Sequence, residues 1–194
     1  MRKLTYFVAC SIDGFIGDPD GDAGSFMRFV DGDYLTFLTT EYPDTIPAEG
    51  RKALGLEAVA NRHFDAVVQG RGSYQVGLDA GLPSPYGHLR EFVASRTIEK
   101  SPHPNVEIIA DDPVGRIREL KAEESEYGIW LCGGSGIAGE LVDEIDELVI
   151  KTYPQVYGSG MPMFGSGFAI TDFTLDSVRA FGDGVVVRWY SRKR

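Results

Sequence analysis

Leu131-Cys132-Gly133-Gly134-Ser135-Gly136 is the stretch on which the fold of this chain turns. The apolar run Gly128-Ile129-Trp130 leads into it and the amphipathic run Ile137-Ala138-Gly139-Glu140-Leu141-Val142 leads out, so the spacing predicts a strand passing directly into a helix. Such a junction suits an anion. Bare glycines at 133, 134 and 136 let a diphosphate approach the backbone, while the unpaired N–H groups and dipole of a helix start supply positive potential. A second junction of this kind lies upstream at Val67-Val68-Gln69-Gly70-Arg71-Gly72-Ser73. Two such strand ends in one chain point to a dinucleotide.

Outward from these junctions, the chain reads as alternating strands and helices. Leu4 to Cys10 is apolar enough for a central strand buried on both faces, and it must turn at the glycines of Ser11-Ile12-Asp13-Gly14-Phe15-Ile16-Gly17. Tyr34, Leu35, Phe37 and Leu38 recur at helical spacing between Asp31 and Glu41, with Asp31 or Asp33 as the N-cap. Further strands are expected at Ala66 to Gln69, Leu89 to Ala94, Val106 to Ala110, Ile129 to Leu131 and Glu147 to Tyr153. Asp112-Pro113 is a strong helix start; Val114, Ile117 and Leu120 form its apolar stripe, with Arg116, Arg118, Glu119 and Lys121 facing water. Around Gly182-Asp183-Gly184, the segments Phe168 to Ala180 and Gly184 to Ser191 have a hairpin pattern. The expected fold is α/β: a mostly parallel mixed sheet between helical layers, ending in an antiparallel hairpin.

Nothing in the 194 residues marks a linker, a repeat or a composition break, so one domain spanning 1–194 is expected. A formal charge of −10 disfavours nucleic acid and anionic membrane as partners. Any bound phosphate therefore needs local cations. Arginine supplies thirteen of the nineteen basic residues, and Arg71 and Arg96 both follow strand ends, a placement suited to fixed phosphate contacts. The two cysteines, Cys10 and Cys132, argue against a disulfide scaffold and a zinc cluster, and no metal site is expected. The start of the chain reads as a strand instead of a signal peptide, and with no long apolar run the expected location is the cytoplasm.

Five motifs stand in a familiar order: Ser11 to Gly17; Gly70-Arg71-Gly72-Ser73-Tyr74; Val93-Ala94-Ser95-Arg96-Thr97; Cys132 to Gly136; and Pro154-Gln155-Val156-Tyr157-Gly158-Ser159-Gly160-Met161-Pro162-Met163-Phe164. Together they resemble the dihydrofolate reductase-like superfamily, specifically the reductase domain of the bifunctional riboflavin-biosynthesis deaminase-reductase. The resemblance covers nearly the whole chain and implies a three-layer α/β/α reductase that uses NADPH. It implies that Gly70, Arg71, Gly72 and Ser73 hold one part of the diphosphate, and Gly133, Gly134, Ser135 and Gly136 the other. Ser95, Arg96 and Thr97 resemble the turn that meets the 2′-phosphate, where an arginine fork favours NADPH over NADH. The loop from Ala9 to Gly17 resembles the segment that closes over the nicotinamide, with Ala9 and Ile16 at its ends.

The chemistry so implied is hydride transfer to a small heterocycle, with a ribosylamino-pyrimidine or a pteridine as substrate. Asp13 is the candidate proton donor, beside Asp31, Asp33 and Glu41, although Asp13 also suits a simple turn before Gly14. Gly158-Ser159-Gly160 fits either a second anion loop or a turn. Two departures stand out: Gly72 occupies a position where the family commonly has a larger polar residue, and a segment from Thr39 to Asn61 is inserted where substrate would be covered. No deaminase zinc signature is present. His63, His88 and His103 read as surface residues, and Trp130 and Trp189 as packing. A nucleotide-binding protein without catalysis is the rival reading. The apolar terminal hairpin suggests an edge that pairs with a second copy, as in the dimeric riboflavin-type relatives.

Overall fold

A computed structural model of the chain describes residues 1–165 and 167–193. The strands are β1 (Leu4–Cys10), β2 (Phe15–Gly17), β3 (Phe64–Gly70), β4 (Arg90–Ala94), β5 (Val106–Ile109), β6 (Gly128–Gly133), β7 (Glu147–Thr152), β8 (Met161–Pro162), β9 (Phe173–Ala180) and β10 (Val186–Arg192). The α-helices are α1 (Gly32–Glu41), α2 (Ala48–Ala53), α3 (Arg71–Asp79), α4 (Pro113–Ala122) and α5 (Ser135–Glu140). Eight strands form one sheet in the order β5-β4-β3-β6-β1-β7-β10-β9, parallel from β5 to β7, with the hairpin β9–β10 antiparallel at one edge. β2 and β8 pair separately.

Alternation along the central strands divides the core into two layers. Tyr6, Val8, Val68, Phe92 and Leu131 face Ile117 and Leu120 of α4 and Ile137 and Ala138 of α5. Phe7, Val67, Trp130, Val149 and Val187 face the other way, onto Tyr34 and Phe37 of α1. Tyr74 of α3 packs on Val93 and Val106. The helix starting at Pro113 has its capping carboxylate in place, with Asp112 accepting from the Gly115 amide at 2.9 Å. Lys121 departs from the expected solvent face. It is buried, 2.6 Å from Asp146, and donates to the Glu144 carbonyl at 2.8 Å, because the long side chain reaches from the edge of the apolar stripe to polar partners on the next connection. The outer hairpin strand starts at Phe173, later than Phe168, since its partner β10 ends at Arg192, opposite Phe173.

The inserted segment is not over the carboxyl ends of the strands. Asp44, fully buried, accepts from the amides of Arg62 at 2.9 Å and of His63 and Phe64 at 2.8 Å, which ties the segment to the start of β3. Arg51 of α2 is buried too and donates to the carbonyls of Pro43 and Val59. Seven strand residues, roughly 23 Å at the usual rise, separate this anchorage from Gly70. The expectation that the segment covers substrate is therefore corrected: its buried polar groups hold it at the opposite end of the sheet. His88 belongs to the same anchorage. Half-buried, it bonds the Asp44 carbonyl at 2.8 Å, whereas His63 is exposed and stacks on Tyr42.

Replacing Asp44 by alanine strips three backbone N–H groups of a charged acceptor, so unfolding free energy should fall by about 3 kcal/mol. Asp44→Asn, which keeps the shape and one acceptor oxygen, should lose about half as much. Urea midpoints for the two variants, at unchanged m, check this.

Candidate functional site

Parallel pairing delivers the motif segments to one edge of the sheet. In register, Gly70 at the end of β3 lies opposite Ala94 at the end of β4, and Gln69 lies opposite Gly133 at the end of β6. β1, on the far side of β6, ends at Cys10 and releases the loop through Gly17. The carboxyl ends of β4, β3, β6 and β1 are thus neighbours, where open α/β sheets place their ligands.

The two glycine junctions touch. A Cβ on Gly70 would sit 3.2 Å from Ile137 Cγ2 and 3.5 Å from the Gly134 amide nitrogen. Gly133 has φ of +120°, a conformation that side chains rarely adopt, and its peptide bond to Gly134 is cis. Gly134 is lined by Met161 and Ser73, each within 3.5 Å of where its Cβ would be. Gly72 and Gly136 instead face open space, with nothing within 4 Å of their Cβ positions. α3 and α5 begin at Gly70 and Gly134 without side-chain caps, so their first-turn amides are not claimed by a capping residue. The Gly165 amide donates to the Ser135 carbonyl at 2.9 Å and keeps the segment after β8 against this junction.

Arg71 and Arg96 are exposed at these ends. Among the described residues they alone of the arginines have no hydrogen bond, ion pair or ring contact, although the chain carries 29 carboxylates. Ser95 is buried, and its hydroxyl accepts from the amides of Thr97 at 3.3 Å and Ile98 at 3.1 Å. That turn leaves Arg96 and Thr97 projecting from the end of β4.

Asp13 is a brace. Its carboxylate accepts from the Ser11 hydroxyl at 2.6 Å, from the Tyr157 amide at 3.1 Å and from the Gly158 amide at 2.7 Å, joining the loop after β1 to the loop after β7. The Ser11 hydrogen bond, reinforced by the two amides, holds its pKa down at about 2. A carboxylate so held is ionised at neutral pH, which favours the bracing role over proton delivery. The Gly158 amide is spent on this contact, and a Cβ on Gly160 would meet the Gly17 carbonyl oxygen at 2.3 Å, so Gly158 to Gly160 is a tight turn against the first loop. The remaining acidic candidates do not replace Asp13. Asp31 and Asp33 are exposed at the start of α1, and Glu41, at its far end, lies 3.6 Å from Arg62. Ile16 packs toward the α4–α5 layer, whereas Ala9 lies against the α1 layer, so these two residues of the loop sit on different faces of the sheet.

One polar side chain escaped the sequence reading. Lys151 of β7 pairs with Ala9 and Val187, and its Nζ lies over the Phe7 ring at 3.8 Å from the centroid. The neighbouring Cys132 on β6 meets the Tyr86 phenol, and burial pushes its thiol up to about 11. The signal in the sequence was a lone cation directly after the apolar run Leu148-Val149-Ile150, within one strand. Among the described residues no group of three or more His, Cys, Asp or Glu is arranged to hold a metal ion, and no helix is long and apolar enough to cross a membrane.

The topology is that of the dihydrofolate reductase-like fold. A solved structure from Shewanella sp. PV-4, of a protein provisionally assigned to riboflavin biosynthesis, is 26% identical, with each chain covered in full and a TM-score of 0.71. Dihydrofolate reductase from Enterococcus faecalis, solved with NADP(H) and RAB-propyl, shares the fold at 12% identity and a TM-score of 0.65, covering 99% of this chain and 97% of its own. Among curated proteins, the uncharacterized protein YwjB of Bacillus subtilis is 25% identical over 193 residues, or 97% of each chain. No protein-family profile matches.

The depressed pKa of Asp13 sets a pH signature. Its contribution to the loop contact is complete above the ordinary carboxylate range and is lost as pH falls through about 2. Hydrogen exchange at the Tyr157 and Gly158 amides should therefore stay protected into mild acid and rise only near that pH, whereas Asp13→Asn should expose both amides at neutral pH.

Proposed function

We propose that the chain is an NADPH-dependent reductase that transfers hydride to a small heterocycle, of the ribosylamino-pyrimidine or pteridine type handled by riboflavin-pathway and dihydrofolate reductases. The observation that carries this reading is the abutment of two bare glycine junctions flanked by Arg71 and Arg96, the two arginines left without partners among the described residues. The site's chemistry fits the cofactor: open space over Gly72 and Gly136 admits a ligand, and the uncapped amides after Gly70 and Gly134 suit a diphosphate. When bound, NADPH supplies a hydride.

The remaining work falls to the protein. Gly70 to Ser73 and Gly133 to Gly136 fix the diphosphate through backbone amides. Arg96, presented by the Ser95 turn beside Thr97, forks onto the 2′-phosphate, a contact NADH cannot make. Ala9 and Ile16 bound the loop over the reacting ring, and the Asp13 brace holds that loop against the turn at Gly158 to exclude water. Because Asp13 is held ionised, a cofactor-binding protein without turnover is the competing reading, and substrate-dependent loss of absorbance at 340 nm decides between them.

We further infer a cytoplasmic homodimer that pairs through the outer edge of β9. That strand is unpaired on one side, with Leu175 51% and Val178 53% exposed.

Arg96→Ala should weaken NADPH binding about 10- to 100-fold and leave NADH nearly unchanged, while Arg71→Ala should weaken both. Fluorescence titration with each cofactor measures the difference, and a wild type that binds neither at millimolar concentration refutes the reading. Light scattering should give twice the chain mass, falling to one chain mass in Val178→Lys.

A further inference from the structure

Lys151 is a cation in a place where the fold gives it nothing to neutralise. Its strand lies beside β1, and its side chain crosses β1 on the α1 face, so that Nζ lies over Phe7, one step back from Ala9. The Phe7 ring is itself packed against Tyr42 at 4.6 Å and Trp130 at 6.3 Å, and Trp130 meets Tyr86 at 4.9 Å. The titratable groups around the ammonium are the Cys132 thiol on β6, the Cys10 thiol on β1, the Tyr86 phenol from the connection before β4, and Tyr42 at the end of α1 behind Phe7. β10 presents Val187. No carboxylate among the described residues pairs with Lys151, although carboxylates outnumber cations in this chain by ten.

Such a group is expensive as a structural element. An ammonium held in an aromatic recess loses hydration that a single cation–π contact only partly replaces, and methionine would fill the space better. It is useful if something electron-rich arrives. Lys151 is not sealed in: it is partly exposed, as are Ala9 beside it in register, Cys132 and Tyr86, and Ala9 is the residue that the reductase reading sets next to the reacting ring.

We propose that Lys151 delivers the proton of the reduction, its ammonium hydrogen-bonding to the nitrogen or oxygen of the substrate's C=N or C=O bond. This rests on the reductase reading above, and it supplies an acid where Asp13 is held ionised. As hydride reaches the carbon, the π bond of C=N or C=O breaks and its electron pair moves onto the heteroatom. A proton from Nζ completes the new N–H or O–H bond. The substrate gains two electrons and the cofactor loses two, and the neutral amine left on Lys151 regains its proton from water. Burial suits the amine to this cycle, since it lowers the pKa to about 8, within reach of neutral solution.

The test reads Lys151 directly as well as through turnover. Methylation with 13C-formaldehyde and a borohydride tags all six lysines, and the NMR signal missing from Lys151→Arg identifies the one in question. That signal should titrate near pH 8, apart from lysines near the ordinary value of about 10.4. With a panel of dihydropterins and amino-pyrimidines, wild-type turnover should fall as pH rises through the same midpoint, because the protonated form is the active one. Lys151→Met should bind NADPH as the wild type does but lose about 100-fold or more in kcat. Lys151→Arg keeps the charge but cannot release a proton, so it should keep KM and lose kcat together with the alkaline limb.

A Lys151 signal that titrates with the other lysines, or a Met variant with undiminished turnover, overturns the proposal and leaves the reductase reading intact. A wild type that binds NADPH but reduces nothing in the panel overturns the proton-delivery role. Failure of the wild type to bind NADPH removes the reductase reading, and this proposal with it.

Discussion

Two backbones without side chains approach each other where β3 and β6 end, and the arrangement of the site depends on that approach. Gly70 lies against the Gly134 amide and Ile137 so closely that a methyl group would crowd the Ile137 side chain, and Gly133 takes a conformation open chiefly to glycine. The parallel register beneath makes the contact possible, since Val67 and Val68 oppose Trp130 and Leu131 and so bring the ends of both strands to one level. The same register brings Ala94, and with it the Ser95 turn, level with Gly70. Hydrophobic burial on both faces of the sheet sets the level of each strand, and the polar ends inherit it.

Charge is distributed with the same economy. Most of the arginines in this acidic chain are tied down: Arg116 reaches Glu107 and Glu119, Arg118 reaches Glu144, and Arg90 reaches Glu123. Those exposed pairs contribute little to stability individually. Their larger effect is to leave the field at the strand ends to Arg71 and Arg96, which no carboxylate among the described residues neutralises. An acidic surface disfavours extended polyanions, while two unneutralised arginines at one rim leave a local positive potential there.

Much of this architecture is legible in the sequence because its signals are local. Leu4 to Cys10, the Asp112-Pro113 helix start and the glycine junctions each carry their own chemistry within a few residues, and the dihydrofolate reductase-like fold follows from their order. What escaped depends on distant partners. Asp44 and Arg51 look like surface polar residues until the amides of Arg62 to Phe64 and the carbonyls of Pro43 and Val59 close around them, so the position of the inserted segment could not be read from its composition. Lys121 is misleading for the same reason, its helical phase being polar while its partners come from the connection before β7. Asp13 was singled out by position, but its task is set by amides more than 140 residues away in sequence. Lys151 was passed over because one charge in an apolar strand has no local pattern.

The anchorage of residues 43–62 beneath the amino end of β3 separates two kinds of vulnerability. A substitution that loosens Asp44 or Arg51 acts on the population of intact molecules and reaches an organism as reduced abundance, with each surviving copy behaving normally. On the reductase reading, loss of an exposed arginine at the far rim, Arg71 or Arg96, does the reverse, leaving a full complement of well-formed copies that no longer perform. Inherited variation in this chain should therefore divide into dosage defects and performance defects according to which end of the sheet it strikes.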